Sequence, residues 1–352
     1  MNNSNCLSKC IDYPCMACPR ECGADRTSGI GFCGAGALPK IARAALHFWE
    51  EPCISGVNGS GTVFFSGCSL RCVYCQNRKI ALGDVGTEVS VERLSEIYLE
   101  LQGQGAHNIN LVTPAHETDA VIQSLERAKR QGLRVPVVYN TGSYEKVENL
   151  KRLEGLVDVW LPDLKYFSSE LSARYSSAPD YFEVAKNAIA EMYRQAGKPV
   201  FVPRKSDEDG GQADQQTVEK VYVRQDEGVQ VQSGAEVEEQ EDAELQLIKK
   251  GVIVRHMVIP SHIADSKKII EYLYRTYGDA IFISIMSQYT PVIDAETAKA
   301  YPELARKLTE REYDSVVDYA IELGVENAFI QEGDVAEESF IPAFDGTGVI
   351  TE

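Results

Sequence analysis

Residues 67–77 read GCSLRCVYCQN, and residues 61–67 leading into them read GTVFFSG. The earlier run places Val63, Phe64 and Phe65 in succession, which predicts a buried strand. The later one is the loop that leaves the strand. In that loop Cys68, Cys72 and Cys75 stand at C-x3-C-x2-C spacing. Cubane iron–sulfur clusters are normally held by four thiolates. Three thiolates in one tight loop hold three corners of a cube and leave the fourth iron open to an exogenous chelate. A metal centre that keeps an open position is built for chemistry rather than for scaffolding.

Outward from the loop, apolar runs alternate with helical patterns. Strands are predicted at 61–67, 108–114, 135–142, 157–165, 251–260, 280–288 and 326–331. Helices are predicted at 90–105, 117–132, 144–153, around 180–196, and at about 266–276 and 312–323. Ser90 is placed to cap the first helix, whose Val91, Leu94, Ile97, Tyr98 and Leu101 share a face. Strand–helix repetition of this kind implies parallel strands with crossover helices, as a β/α barrel or a doubly wound sheet. In both, catalytic groups collect at the C-terminal ends of the strands.

All ten cysteines lie in the first 75 of the 352 residues. This divides a cysteine-rich N-terminal extension, residues 1–58, from a barrel at 59–331 and a C-terminal tail at 332–352. The barrel is interrupted at 205–250 by a strongly acidic segment poor in core-forming residues, which reads as an insert with a small hairpin turning at 226–228. A net charge of −18 argues against a general phosphate-backbone binder, so no nucleic acid is expected. The polar start, MNNSNCLSKC, lacks the apolar region of a secretory signal, and no window reaches 18 apolar residues. A cytoplasmic protein with no membrane partner is therefore expected, with its cysteines reduced.

With Tyr74 just before its last cysteine, the C-x3-C-x2-C loop resembles the radical S-adenosylmethionine (radical SAM) superfamily. CMACPRECGADR (15–26), ARAALHFWEEPCISG (42–56), CQN (75–77), DLK (163–165), RHMVIP (255–260) and MSQYTP (286–291) narrow the resemblance to the uncharacterised family related to pyruvate formate-lyase activating enzyme. The resemblance implies a partial (β/α)6 barrel. It implies a [4Fe–4S] cluster on Cys68, Cys72 and Cys75 whose open iron binds SAM. Reductive cleavage of SAM then gives a 5′-deoxyadenosyl radical that abstracts hydrogen from a substrate. A glycyl radical protein is one such substrate, and flavodoxin or ferredoxin a suitable electron donor. The resemblance further implies that Lys165 pairs the SAM carboxylate and that Asp163 helps build a polar or monovalent-cation site nearby, against the alternative of a buried Asp163–Lys165 ion pair that holds the barrel mouth.

Other cofactor contacts are expected from the residues after each strand, with Tyr74 beside them. Where activating enzymes carry a Gly-Gly-Glu-type stretch, this chain has VTPAHE (112–117), so the Thr113 hydroxyl and backbone near Pro114 are expected to meet the SAM ammonium. Glu117 there equally starts the next helix. Asn140 and Thr141 are candidates for ribose or carboxylate, against the alternative of ordinary turn chemistry. Alternation along a strand lets only one of Arg255 and His256 enter the barrel. His256 is the expected ribose or adenine contact and Arg255 the expected structural residue. Gln288 and Tyr289 are expected either to line the substrate end or merely to cap the barrel.

Cys15, Cys18, Cys22 and Cys33 form a second group with enough thiolates to close a site. Zinc and a second iron–sulfur cluster are both allowed by ligand type. Cys6 and Cys10 are extra thiols, and Cys53 is expected to be buried. The aromatic stretch LHFWEEP (46–52) is expected to pack the extension against the barrel. A non-catalytic iron–sulfur protein for electron transfer or redox sensing, and a zinc-dependent binding module, are the competing readings.

Overall fold

The computed structural model describes residues 14–202, 223–225, 246–331 and 342–350. The expected turn at 226–228 and the thiols Cys6 and Cys10 lie outside them. The strands are β1 (Lys40–His47), β2 (Ser60–Phe65), β3 (Thr87–Glu88), β4 (Ile109–Val112), β5 (Val137–Thr141), β6 (Val159–Pro162), β7 (Val200–Phe201), β8 (Val223–Gln225), β9 (Ile248–Met257), β10 (Phe282–Met286) and β11 (Ala328–Gln331). Between them lie α1 (Pro52–Ser55), α2 (Arg78–Ala81), α3 (Val91–Gly103), α4 (Thr118–Gln131), α5 (Val147–Arg152), α6 (Ser169–Ser176), α7 (Tyr181–Ala196), α8 (Ile263–Tyr277), α9 (Ala295–Ala300) and α10 (Glu310–Leu323).

One sheet runs β3-β1-β2-β4-β5-β6-β9-β10-β11-β8, with β7 paired to β9 off this path. From β2 to β8 every neighbouring pair is parallel, and β1 is antiparallel to β2. The sheet is that of a partial barrel, curved and not closed; β11 extends the expected six parallel strands by a seventh. Every residue of β2, β4, β5 and β6 is buried, as parallel strands covered on both faces require. β8 lies within the acidic insert and adds a parallel strand beyond β11.

The crossover helices follow their sequence signals. The Ser90 side chain accepts from the Arg93 backbone N–H and caps α3, whose apolar face is buried. Gly132, at φ 113°, ends α4 in a left-handed conformation that costs glycine little. Thr309 and Glu312 close a reciprocal capping box at the start of α10. No described helix is long and apolar enough to cross a membrane.

The extension does not end where its cysteines thin out. β1 falls inside residues 1–58 yet is hydrogen-bonded along its length to β2, so the sheet begins before residue 59. The segment after β1 then turns under the barrel. Cys53 and Ile54 of α1 pack among Val138, Leu161, Ile253 and Phe282, which come from β5, β6, β9 and β10. This apolar plug closes one end of the unclosed barrel. Within the tail, residues 342–350 dock back on the outer strand: Ala44 N–H donates to the Thr347 carbonyl (2.9 Å) and Val349 is fully buried.

Candidate active site

The cysteine loop leaves β2 through Gly67, at φ 100°. A Cβ there would stand 2.8 Å from the Cys33 carbonyl oxygen and 2.9 Å from His116 Nε2, so no side chain fits. The loop is pinned by backbone bonds from Gly67 N–H to Ile80 O (2.6 Å), Cys68 N–H to Cys33 O (3.0 Å) and Val73 N–H to Tyr175 O (2.9 Å). Cys68, Cys72 and Cys75 all line one cavity of about 270 Å³ at the C-terminal ends of the strands. Ser176 Oγ donates to Cys72 Sγ (3.0 Å) and the Leu70 N–H to Cys68 Sγ (3.4 Å). Burial pushes the Cys75 thiol up to about 12, with Cys72 and Cys68 adding to the rise and Lys165 opposing it. Three thiolates stand together in such a place only against a compensating metal charge. Among the described residues no set of three or more His, Cys, Asp or Glu side chains is spaced to hold a single metal ion. In a cubane each thiolate binds its own iron, so convergence on one point is not required. The three thiols fit a cluster of that kind.

Facing the loop is an ion-pair network. Lys165 Nζ lies 2.6 Å from Asp163 Oδ2, and Arg255 Nε 2.9 Å from Asp163 Oδ1. Arg255 Nη1 pairs Glu50 Oε2 (3.0 Å) and Nη2 donates to Asn140 Oδ1 (2.6 Å). Burial pushes the Asp163 carboxyl up, but Arg255 and Lys165 outweigh it and hold it below the usual carboxylate range. Burial opposes the charge on Lys165, and Asp163 with Cys72 more than restores it. A bridge between Asp163 and Arg255 prolongs the β6–β9 pairing past the end of β6 and brings these side chains level.

Of the residues expected at the site, Tyr74, Thr113, Asn140, Thr141, Asp163 and Lys165 line this cavity, as does Gln288. Tyr74 is held edge-on against Tyr166, Tyr175 and Tyr289 at 6.0–6.3 Å. Thr113 has a strained positive φ of 59°. The Thr141 hydroxyl is engaged, donating to Glu145, and the Asn140 amide is engaged between Arg255 and Glu50.

Three expectations are corrected. His256 does not enter the barrel: its Nδ1 meets the Leu164 carbonyl (2.8 Å), and it lies among buried groups away from the cavity. Arg255 takes the inward position instead, because Ile253, two residues before it, faces the apolar plug and strand alternation carries Arg255 and Met257 to the same side. Pro114 heads the turn Ala115–Glu117 rather than lining the cavity. Glu117 starts α4, as the sequence allowed, and its carboxylate pairs Arg26 (2.6 Å) in a buried ion pair that ties the extension to the barrel. Tyr289 is fully buried with its hydroxyl on the Leu304 carbonyl (2.6 Å).

Glu50 and Glu51, read as part of a packing segment, were missed as site residues; both line the cavity. Two adjacent acids inside an otherwise aromatic and apolar stretch were the available signal. Cys15, Cys18, Cys22 and Cys33 lie together outside the cavity, with the first, second and fourth buried. Cys15 hydrogen-bonds Cys22 and helps, with backbone N–H groups, to hold that thiol below its usual value despite burial. Burial pushes Cys33 up to about 12.

The model of the radical SAM superfamily matches residues 62–209. The chain is 24% identical to uncharacterized protein MJ0674 of Methanocaldococcus jannaschii over 89% of its own length and 76% of that protein's. The Streptococcus suis SuiB crystal structure matches 78% of the chain at 12% identity and a TM-score of 0.42, and the chain spans 48% of that structure.

Proposed function

The chain carries a radical SAM domain over residues 62–209, and on that premise we propose that it is a radical SAM enzyme whose active centre is the cavity under the Cys68–Cys75 loop. One observation carries the reading: three thiols, Lys165 and the ends of the parallel strands share a single cavity. Cys68, Cys72 and Cys75 are the residues to hold a [4Fe–4S] cluster. When bound, the cluster and SAM supply a 5′-deoxyadenosyl radical that abstracts hydrogen from a substrate.

The chain's own part is binding, orientation and exclusion of water. Lys165, kept charged by Asp163, supplies the cation for a carboxylate on SAM. Asp163 is fixed by two cations, so it holds Lys165 without wandering into the space a ligand needs. Thr113 and the backbone beside it offer acceptors for an ammonium. The Tyr74 ring closes one wall, and the Tyr166–Tyr175–Tyr289 cluster behind it keeps that wall dry. A one-electron donor of flavodoxin or ferredoxin type completes the scheme. Activation of a glycyl radical protein rests on the family resemblance alone.

The extension is proposed as a second metal centre, on Cys15, Cys18, Cys22 and Cys33. Its contact with the loop supports a role next to the first centre: the Cys33 carbonyl receives the Cys68 N–H, and Arg20 donates to the Ser69 carbonyl (2.7 Å). Thiolate ligands suit zinc and iron–sulfur clusters alike; the four thiols are not spaced around a single point, which favours a cluster over one zinc ion, and metal content distinguishes them.

The reading is tested by reconstituting the full chain anaerobically with iron and sulfide, reducing it, and adding SAM. Formation of 5′-deoxyadenosine and methionine is expected. A cluster-loaded, reduced protein that leaves SAM intact points instead to an electron-transfer or redox-sensing iron–sulfur protein.

A further inference from the structure

The floor of the cavity is supplied by the segment that plugs the barrel. Above the plug formed by Cys53 and Ile54, the same segment raises Glu50 and Glu51 into the cavity. The two carboxylates have different fates. Glu50 is fully used: Oε2 takes Arg255 (3.0 Å), and Oε1 accepts from Asn110 (3.0 Å) and Asn140 (3.3 Å). Glu51 occupies the N-cap of α1, yet its side chain does not cap that helix. It is 6% exposed, and its Oε2 is buried with no hydrogen-bond partner among the described residues.

With Glu51 ionised, the charge of the described residues around the floor is unbalanced. Three carboxylates, Glu50, Glu51 and Asp163, face two cations, Arg255 and Lys165, and the four groups other than Glu51 pair among themselves. Burial pushes the Glu51 carboxyl up, and Glu50 adds to the rise, with Arg255 and Ser284 opposing. A buried acceptor left unmet costs on the order of 1–3 kcal/mol, and more when charged. The other buried side-chain atom beside Glu50 without a described partner is also an acceptor, Asn110 Oδ1. Trp49, Phe65, Met257 and Met286 line the same cavity, so its walls carry aromatic and polarisable groups of the kind that surround bound ammonium ions.

We propose that Glu51 Oε2 anchors a protonated amine, so that the substrate of this site is an ammonium-bearing molecule or side chain. The assignment deepens the radical SAM reading, since it names the substrate class for the same cavity, but the anchoring itself requires no radical chemistry. Glu51 is a binding residue here. The amine takes the place of the proton that burial and Glu50 favour on Glu51, and Ser284 stands beside the same carboxyl. A neutral alcohol of the same length satisfies one acceptor but leaves the floor one positive charge short.

The test uses the full chain without reductant or SAM, with n-butylammonium and butan-1-ol as probes, binding being read by calorimetry. Butylammonium is expected to bind at least tenfold more tightly than butan-1-ol. Glu51→Gln is expected to erase that preference while circular dichroism stays unchanged. Equal binding of the two probes, no binding of the amine, or an amine preference that survives in Glu51→Gln overturns the proposal. The wild-type comparison decides the matter even if the variant does not fold. Because neither cluster nor SAM takes part, failure here leaves 5′-deoxyadenosine formation standing, and failure of that chemistry leaves this binding result standing.

Discussion

The chain holds two groups of thiols that touch through the backbone and differ in everything else. Cys68, Cys72 and Cys75 open onto a cavity and face a lysine; Cys15, Cys18, Cys22 and Cys33 are packed outside it, in a segment without regular secondary structure. The first group is supported by strands: the loop leaves β2, and its partners are the ends of β4, β5, β6 and β9. The second is supported by the first, through the bond from Cys68 N–H to Cys33 O and through Arg20, which donates to the Ser69 and Ser176 carbonyls (2.7 and 2.5 Å). Thiols that face a cavity leave room for an exogenous ligand. Four thiols, three of them buried and Cys22 exposed, are enough in number to ligate a cubane without an exogenous ligand.

The contrast breaks most plainly in metal content. Cys72→Ala is expected to strip iron from the cavity and to lower 5′-deoxyadenosine formation by more than the roughly 10–100-fold typical of losing an outer partner of a metal site. Cys18→Ala is expected to remove the metal of the extension while the cavity iron remains. Elemental analysis of the two purified variants checks both, and an unchanged total in Cys18→Ala means the extension holds no metal.

A smaller effect concerns how the extension is held. Arg26 and Glu117 are both buried at their 2.6 Å contact, and Arg26 also donates to the His116 and Gly36 carbonyls (2.7 and 2.8 Å). Arg26→Ala leaves the Glu117 carboxyl buried without its cation. Loss of about 3–5 kcal/mol is expected in chemical denaturation. A variant that retains its stability would show that the extension is held by its loop contacts alone.

The smallest effect lies behind the cavity wall and should spare both thiol groups. Burial pushes the Glu145 carboxyl up to about 7, although Thr141 and Tyr139 donate to it. Its folded value therefore lies above its unfolded one, and the fold binds the extra proton. Stability from this group is complete below about pH 4.5 and is lost as pH rises through about 7, by at most about 3 kcal/mol. Glu145→Gln is expected to flatten the unfolding free energy across that window without changing iron content, which denaturation at a series of pH values would show.

Much of this was legible beforehand because it is local. The C-x3-C-x2-C loop, the Ser90 cap and the Gly132 stop are each set by a few neighbouring residues. Arg255 was harder. A buried strand flanked by apolar residues on both faces hides its inward parity, so alternation narrowed the choice to Arg255 or His256 without making it. Glu117 was legible as the start of α4, but the partner of its carboxylate was not, because Arg26 lies 91 positions away.

The order of the seven parallel strands from β2 to β11 and of the main crossover helices, and the grouping of three cysteines in one loop, follow from the sequence by itself, since spacing and periodicity act over a turn or two of chain. Only the tertiary structure decided which groups fill the barrel. The segment between β1 and β2 folds under an unclosed sheet, and apolar Cys53 and Ile54 seal it. That act carries Glu50 to Arg255, some 205 residues distant, and leaves Glu51 buried beside it with an oxygen unmet. Burial and charge balance depend on what the rest of the chain places around a residue, and no local pattern encodes that.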